Sequence, residues 1–364
     1  MTNDACGLLL AEALPAGLSA QQVPGHAARL RAQGAGTVCV LDVPHAGGVR
    51  LHWLEAGLAR GWVEPGTATP VDAEAWREGF GRATGLGFTG ADAALLGCWA
   101  AHAPADGPGP LPRLSWGEAP RFAARAVPRA GARPLGIYAL VDSAERLEAV
   151  LAAGVRTVQL RIKSPPVPDA AWRDGLRAEL AEGLALARLE GAELFVNDHW
   201  ALAQSFGAPA VHLGQEDLLA LGDDGRARLL DSGVGLGISS HSVWELCRAR
   251  ALSPRYIACG PVWPTTTKDM PWVPQGLDNL AWWCRHAGAP VVAIGGILEV
   301  GQVRDSAAAG ADGVCIVRGL GPQPQAVIPG LLAAFETGHA QAGGTPVPAW
   351  PHPTLPQRVH EGSA

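Results

Sequence analysis

The stretch Tyr256–Lys268 reads YIACGPVWPTTTK and has the form of a buried strand followed by a polar loop. The apolar run has the length of a strand, and Gly260-Pro261 ends it. Three threonine hydroxyls and one ammonium group follow this break. The pattern therefore predicts a binding site at the carboxyl end of a strand.

Lysine is rare in this chain. Only two of the 28 basic residues are lysines, Lys163 and Lys268, and both follow strand-like runs. A lysine ammonium is a compact point charge, whereas an arginine guanidinium is a planar fork, so the two suit different ligands. Lysine at these two positions favours contact with a phosphate oxygen or a leaving group; chance retention is the alternative.

Regular alternation of strand and helix patterns surrounds the stretch from residue 135 onward. The apolar runs are continuous, as strands buried on both faces require, and helical patterns lie between them. The runs fall at 135–141, 157–162, 193–197, 210–213, 234–238, 256–262, 290–294 and 313–317. Eight such units predict an α/β fold with a closed (β/α)8 TIM barrel, rather than an open doubly wound sheet.

The remaining sequence predicts an additional N-terminal α/β domain at 1–115, with a strand at 37–42 and a helix at 90–102. A Pro-rich linker is expected at 116–134, the barrel at 135–342 and a disordered tail at 343–364. His45, His52 and His102 are candidate ligands, but without acids or cysteines at ligand spacing, satisfied or exposed histidines are favoured.

Composition limits the possible partners to small molecules. The net charge is −6, the pI is about 6.0 and charged residues make up 17%, which excludes a basic surface for nucleic acid. The sequence has no membrane-length apolar run and a poor signal peptide, so a cytoplasmic protein without membrane contact is expected. The seven cysteines form no close pair, which favours buried thiols over structural zinc.

In a parallel barrel the chemistry lies on the loops that follow the strands. The second run ends in Gln159, Arg161 and Lys163, which alternation places on one side. Two cations at a barrel mouth require an anion. The opposite orientation would place these polar groups among the helices.

Asn197-Asp198 ends the third run, and Asp217 follows the fourth. Two carboxylates beside an expected phosphate group predict a Mg²⁺ site, because Mg²⁺ takes one or two carboxylates with phosphate oxygens and water. Taken singly, each aspartate is also suited to capping the helix that follows it.

The later strand ends offer anion donors. Ser239 suits either an anion or a helix cap, and a structural role is favoured over a general base for His241. Gly295-Gly296 and the backbone of Val317 and Arg318 follow the seventh and eighth runs, where barrels often bind phosphate.

With these residues in place, the chain from about 135 to 335 resembles thiamine phosphate synthase. The resemblance rests on several ordered motifs: QLRIK at 159–163, ND at 197–198, HLGQED at 212–217, GISSH at 237–241, GPVWPTTTK at 260–268, PQGL at 274–277 and VVAIGGI at 291–297. It implies a dissociative reaction with Mg²⁺ as cofactor, in which pyrophosphate leaves a hydroxymethylpyrimidine diphosphate and the nitrogen of a thiazole phosphate attacks the pyrimidine cation that remains.

The resemblance also implies roles for individual residues. Arg161, Lys163 and Lys268 would stabilise the departing diphosphate, with the metal on Asp198 and Asp217. The pyrimidine diphosphate would be held by these cations together with Gln159, Asn197 and Ser239. The thiazole phosphate would be held by Thr265, Thr266, Thr267, Gly296, Val317 and Arg318. Many family members carry serine where this chain has Arg318.

Two further hypotheses stay open. One is a non-catalytic, thiamine phosphate-binding regulator on the same barrel. The other concerns residues 1–115, where HWL at 52–54 and ARGW at 59–62 resemble the late part of pyrimidine kinases without their Gly-rich anion loop. That resemblance implies a kinase remnant without catalysis, which would serve as an interaction or stabilising module and be dispensable for the chemistry.

Overall fold

The computed structural model describes residues 9–67, 69–102, 109–124, 134–266 and 271–355. It contains a five-stranded sheet followed by a closed eight-stranded barrel, as the sequence predicts. The barrel confirms the α/β class and the TIM-barrel architecture, and the first sheet confirms an N-terminal domain of mixed structure.

The N-terminal sheet has the strand order β1-β2-β3-β4-β5. Its first pair is parallel and the other pairs are antiparallel. Its strands and the three helices packed with them are β1 Leu9–Ala13, α1 Val23–Ala32, β2 Thr37–Pro44, β3 Arg50–Ala56, β4 Ala59–Glu64, α2 Ala73–Gly85, α3 Gly90–Ala101 and β5 Arg113–Leu114. We refer to these elements together as the N-terminal unit.

The barrel closes by pairing its last strand, β13, with its first strand, β6, and all eight neighbouring pairs are parallel. Its strands are β6 Gly136–Val141, β7 Thr157–Leu160, β8 Glu193–Asn197, β9 Ala210–Leu213, β10 Gly235–Ser240, β11 Tyr256–Cys259, β12 Val291–Ala293 and β13 Gly313–Ile316. Its helices are α4 Ala144–Ala152, α5 Ala170–Leu189, α6 Trp200–Ser205, α7 Gln215–Ala220, α8 Gly222–Asp231, α9 Val243–Ala251, α10 Gly276–His286, α11 Val300–Ala308 and α12 Pro324–His339.

The barrel interior is filled by large side chains from several strands. Tyr138, Phe195 and Tyr256 are fully buried there and contact one another edge to face or at a tilt. Gly237 makes room for this packing, because a Cβ at this position would lie 2.4 Å from the Tyr256 ring. The interior is therefore a packed core with a site only at its mouth.

The N-terminal unit shares a hydrophobic core with the barrel. Trp99 of α3 packs edge to face against Trp282 of α10, with ring centroids 5.4 Å apart. The Asp92 carboxylate, on the same helix, accepts a hydrogen bond of 2.7 Å from the backbone N–H of Trp244 at the start of α9. Removal of residues 1–115 would expose this apolar surface, so the structure predicts that the truncated barrel is destabilised.

The segment expected to be a Pro-rich linker packs on α9 over its described part. The Trp116 indole N–H donates to the carbonyl of Arg248, and the backbone N–H of Ala123 donates to the carbonyl of Ala251. These bonds hold residues 116–124 against the barrel.

The expected disordered tail also differs from the structure over residues 343–355. Pro351 and Thr354 are buried, and the backbone of His352 is hydrogen-bonded to Asn279 of α10. Pro-rich composition indicated disorder, but a tryptophan and these backbone contacts give the segment a packing partner. Residues 356–364 lie outside the described part of the chain. No helix in the described residues is long and apolar enough to cross a membrane.

The pH dependence of unfolding can test the contact that Asp92 makes between the N-terminal unit and the barrel. Burial raises the pKa of this carboxyl from 3.8 to about 6, so its protonated form is favoured in the folded protein. The stability that this protonation supplies is fully present below about pH 4 and is lost as the pH rises through about 6. Asp92→Asn stays neutral, so the variant should gain about 3 kcal/mol relative to the natural chain across this window.

Urea unfolding of both chains, at about pH 4.5 and about pH 7.5, measures this difference. Asp92→Ala serves as a control, because it leaves the Trp244 N–H without its acceptor and should be less stable than Asp92→Asn at both pH values. If the difference in unfolding free energy between the natural chain and Asp92→Asn is the same at both pH values, the assignment is contradicted.

Candidate active site

The predicted site residues that the structure describes lie at the carboxyl ends of the strands, which parallel closure brings to one mouth. Gln159 and Asn197 lie at the ends of β7 and β8 and are buried. Ser239 lies near the end of β10, and Arg161 and Lys163 follow β7. Lys163 is exposed at the rim, whereas Arg161 is half-buried.

A buried chain of hydrogen bonds connects Gln159 to Ser239 through the barrel interior. The Gln159 Nε2 lies 3.1 Å from the Tyr138 hydroxyl, which lies 2.8 Å from the Tyr256 hydroxyl. The Tyr256 hydroxyl is 2.7 Å from His212 Nδ1, and His212 Nε2 is 2.9 Å from the Ser239 hydroxyl. Two predicted ligand-binding side chains are thus linked through three interior groups.

The available donors determine the direction in which the hydrogen bonds run from Gln159 to Ser239. The Gln159 amide donates to Tyr138, so the buried Tyr138 proton is satisfied only if it is donated to Tyr256. Tyr256 then donates to His212 Nδ1, and the Nε2–H of His212 donates to Ser239. The Ser239 proton is left to donate into the barrel mouth, which suits an acceptor on a ligand.

His212 stays neutral in this position. Burial, and secondarily the charge of Arg161, lower the pKa of His212 from 6.5 to about 4. Sequence reasoning did not assign His212, Tyr138 or Tyr256 to the site. The composition carried a signal, because the chain has only two tyrosines and both take part in this hydrogen-bond chain.

The two predicted metal ligands lie close enough to influence each other. The pKa of Asp198 is raised by burial and then by the charge of Asp217, while Arg161 lowers it. Asn197 also donates a side-chain hydrogen bond to Asp198. The structure therefore brings Arg161 and both aspartates into one electrostatic group, which is the arrangement expected of a cation site beside an anion.

Only one of the two aspartates caps the helix that follows it. The Asp217 carboxylate accepts a 2.9 Å hydrogen bond from the Gly214 N–H and so closes the first turn of α7. Asp198 precedes α6 in the left-handed region, with φ of 63°, and α6 has no side-chain cap. The Asp198 carboxylate therefore does not cap α6. Oxygen ligands of this kind fit Mg²⁺.

The strand ends at the opposite side of the mouth form a second group. Arg318 donates a 3.1 Å hydrogen bond to the Thr266 hydroxyl. Gly296 lies beneath the same loop, since a Cβ there would meet the carbonyl oxygens of Trp263 and Pro264 at 2.6 Å. The glycines at 295–296 are thus required for packing of the loop, in addition to any role toward an anion. Thr265 and Val317 lie on the two segments that meet here. Thr267 and Lys268 lie outside the described residues.

His241 has partners that fit a structural role. Its Nδ1 is 2.9 Å from a Glu245 carboxylate oxygen, and its ring stacks on Trp272 at an interplanar angle of 7°. The ring is therefore held between α9 and the end of the loop that follows β11.

His52, His102 and Cys98 form a cluster in the N-terminal unit whose donor atoms lie within 4.8 Å of one another. Cys98 precedes His102 by four residues, a helical ligand spacing that sequence reasoning overlooked. However, His52 Nδ1 accepts a 3.0 Å hydrogen bond from the Asp42 N–H, which places the ring proton on Nε2. Burial lowers the pKa of His52 to about 3 and raises that of Cys98 well above its usual range. The cluster thus fits a neutral core better than a metal site.

Comparisons with known proteins match the barrel part of the chain. The family model described as thiamine monophosphate synthase matches residues 137–320, which lie within the barrel. The thiamine-phosphate synthase of Neisseria meningitidis serogroup A is 42% identical over 206 residues, covering 56% of this chain and 96% of that protein. The thiamine-phosphate synthase of Serratia proteamaculans is 47% identical over 167 residues, covering 45% of this chain and 73% of that protein.

One solved structure, a thiamine phosphate pyrophosphorylase from Pyrococcus furiosus, aligns with a TM-score of 0.48 at 24% identity. The alignment covers 57% of this chain and 98% of that chain.

The hydrogen-bond chain predicts the tautomer of His212. Its ring should remain neutral with the proton on Nε2 from about pH 5 to about pH 8, because its pKa is lowered to about 4. Nitrogen-15 NMR of the histidine rings measures both the tautomer and the titration, and His212→Gln assigns the signal. Tyr256→Phe, which removes the donor to Nδ1, should give a mixture of tautomers. Titration of His212 near its ordinary pKa, or a proton on Nδ1, would contradict the proposed direction.

Proposed function

The chain belongs to the thiamine monophosphate synthase family, and from this premise we propose how its site residues divide the reaction. The barrel is a transferase of thiamine biosynthesis. It condenses 4-amino-2-methyl-5-(diphosphooxymethyl)pyrimidine with 4-methyl-5-(2-phosphooxyethyl)thiazole, giving thiamine phosphate and pyrophosphate. This division of roles rests on one observation. The Gln159–Ser239 hydrogen-bond chain and the Arg161–Asp198–Asp217 group lie at the same mouth of the barrel.

The pyrimidine substrate is assigned to the side of the mouth formed by β7 to β10. Gln159, Asn197 and Ser239 bind it, and the donor direction worked out for Ser239 supports a hydrogen bond to an acceptor on this substrate. The catalytic cations Arg161, Lys163 and Lys268 stabilise negative charge on the diphosphate as its bond to the methylene carbon breaks.

The metal proposed for this site is Mg²⁺, which Asp198 and Asp217 would hold. Two carboxylates with mutual influence on their charge, one of them free of helix capping, support this assignment. When bound, Mg²⁺ supplies further neutralisation of the diphosphate charge. The charge of Arg161 lowers the pKa of Asp198, which supports a role for this guanidinium beside the metal ligands.

The thiazole phosphate is assigned to the opposite side of the mouth. Thr265, Thr266 and Thr267 offer hydroxyls, and the backbone of Gly296, Val317 and Arg318 offers N–H groups. The Arg318 side chain donates to Thr266, and its exposed guanidinium adds a positive charge where family members often have serine. In the dissociative substitution proposed here, pyrophosphate leaves first with the electrons of the broken bond, and the thiazole nitrogen then attacks the methylene carbon of the resulting pyrimidine cation.

The proposal extends to the rest of the chain. Residues 1–115 form a non-catalytic module, residues 116–134 a connection, and residues 135–342 the synthase barrel. Small phosphorylated molecules are the partners, and a cytoplasmic location fits substrates of this kind. A kinase ancestry for the N-terminal unit stays a hypothesis.

The first test is product formation by the full chain. Thiamine phosphate and pyrophosphate should appear only when both substrates and Mg²⁺ are supplied, and a chelator should stop the reaction. Product quantified by chromatography, with pyrophosphate measured independently, checks both halves of the reaction. Binding of thiamine phosphate without pyrophosphate release would instead support the non-catalytic regulator.

Asp198→Asn tests the metal ligand with little change to the backbone, because asparagine also tolerates a positive φ. Turnover should fall by at least about 100-fold, the loss typical when a charge-stabilising group is removed. Asp231→Asn, an exposed aspartate of α8, serves as the matched control and should keep full activity. Equal turnover in the two variants would remove Asp198 from the site.

A further inference from the structure

The segment Trp350–Thr354, here called the strap, is fixed to the start of α10 by one buried side chain. Asn279 is 1% exposed. Its Oδ1 accepts a 2.8 Å hydrogen bond from the His352 N–H, and its Nδ2 donates a 3.0 Å hydrogen bond to the His352 carbonyl. An asparagine that grips both backbone groups of one residue holds that residue at a defined position.

The strap in turn holds the end of the loop that runs from β11 to α10. The Val273 N–H donates to the Thr354 carbonyl at 2.8 Å, and His352 Nε2 is 2.8 Å from the Gln275 carbonyl. Gln275 Nε2 donates to the His241 carbonyl at 2.9 Å. His241, on whose ring Trp272 stacks, stands two positions after Ser239. The strap is therefore connected through two hydrogen-bonded steps to the mouth of the barrel.

The other side of the strap contacts the N-terminal unit. The Trp350 ring packs edge to face on Trp99 of α3, with centroids 5.7 Å apart. The Arg82 guanidinium of α2 lies 4.8 Å from the centre of the Trp350 ring, within the range of a cation–π contact. The strap thus contacts both the N-terminal unit and the end of the β11–α10 loop.

We propose that the strap positions the β11–α10 loop for catalysis, and that the N-terminal unit acts on the reaction through Trp350. The inference rests on the proposed function, because Thr265 and Thr266 of that loop are assigned to the thiazole phosphate. A loop end held in place loses less conformational freedom when substrate binds, so anchoring favours binding and correct orientation. His352 and Trp350 are positioning residues, since neither is placed in contact with substrate.

The kinetic test uses the full chain with His352→Ala and Trp350→Ala. Val347→Ala is the matched control, because Val347 lies just before the strap and is exposed. Both strap variants should raise KM for the thiazole phosphate or lower kcat by about 5- to 10-fold, an effect typical of lost pre-organisation. KM for the pyrimidine diphosphate should change less. Kinetics equal to those of Val347→Ala would overturn the inference.

A second readout does not depend on activity. Lysine-specific protease can cut this chain only after Lys163 and Lys268, because these are its two lysines. The strap variants should be cut faster after Lys268, with cutting after Lys163 as an internal reference. A merely structural role would lower the melting temperature and accelerate both cuts together, which would also overturn the inference.

The link to the N-terminal unit is tested by a double-mutant cycle. Arg82→Ala should reduce turnover in the natural chain and have no further effect in Trp350→Ala, because Arg82 acts through that ring. Additive effects would contradict the link. If the natural chain forms no thiamine phosphate, the proposed function fails, whereas the protease cuts still report whether the strap holds the loop.

Discussion

Closure of the parallel barrel is the constraint on which the rest of the structure depends. Pairing of β13 with β6 completes a ring in which every strand points the same way. Polar residues from the ends of β7, β8 and β10, separated by about 80 positions in sequence, are thereby placed at one mouth. The cation group and the hydrogen-bond chain both depend on this closure, because an open sheet would keep these strand ends apart.

The interior of the barrel has two functions at once. Its large rings fill the core, and two of them carry hydroxyls that must be satisfied because no water reaches them. Gln159 and His212 supply the missing partners and orient Ser239. Stability of the core and orientation of the site therefore depend on the same buried groups, and Gly237 is required because the Tyr256 ring occupies the space of its side chain.

The N-terminal unit is integrated with the barrel, in contrast to an appended domain. Its α3 contributes Asp92 to the start of α9 and Trp99 to the face of α10. The connection that follows packs along α9, and the strap returns to the same surface from the other end of the chain. These contacts are made with α9 and α10, the helices that follow β10 and the β11–α10 loop.

The sequence by itself determined the barrel, its eight strands and the residues at their ends, because buried parallel strands leave continuous apolar runs and the polar residue that ends each run is local. The rarity of lysine singled out Lys163 and Lys268, and the equal rarity of tyrosine would have singled out Tyr138 and Tyr256. Only the tertiary structure decided how these residues meet. The hydrogen-bond chain joins five strands, the Arg318–Thr266 contact spans 52 positions, and the strap binds 73 positions from Asn279. Local sequence patterns carry no information about such contacts, because they arise from closure of the barrel and from packing between distant segments.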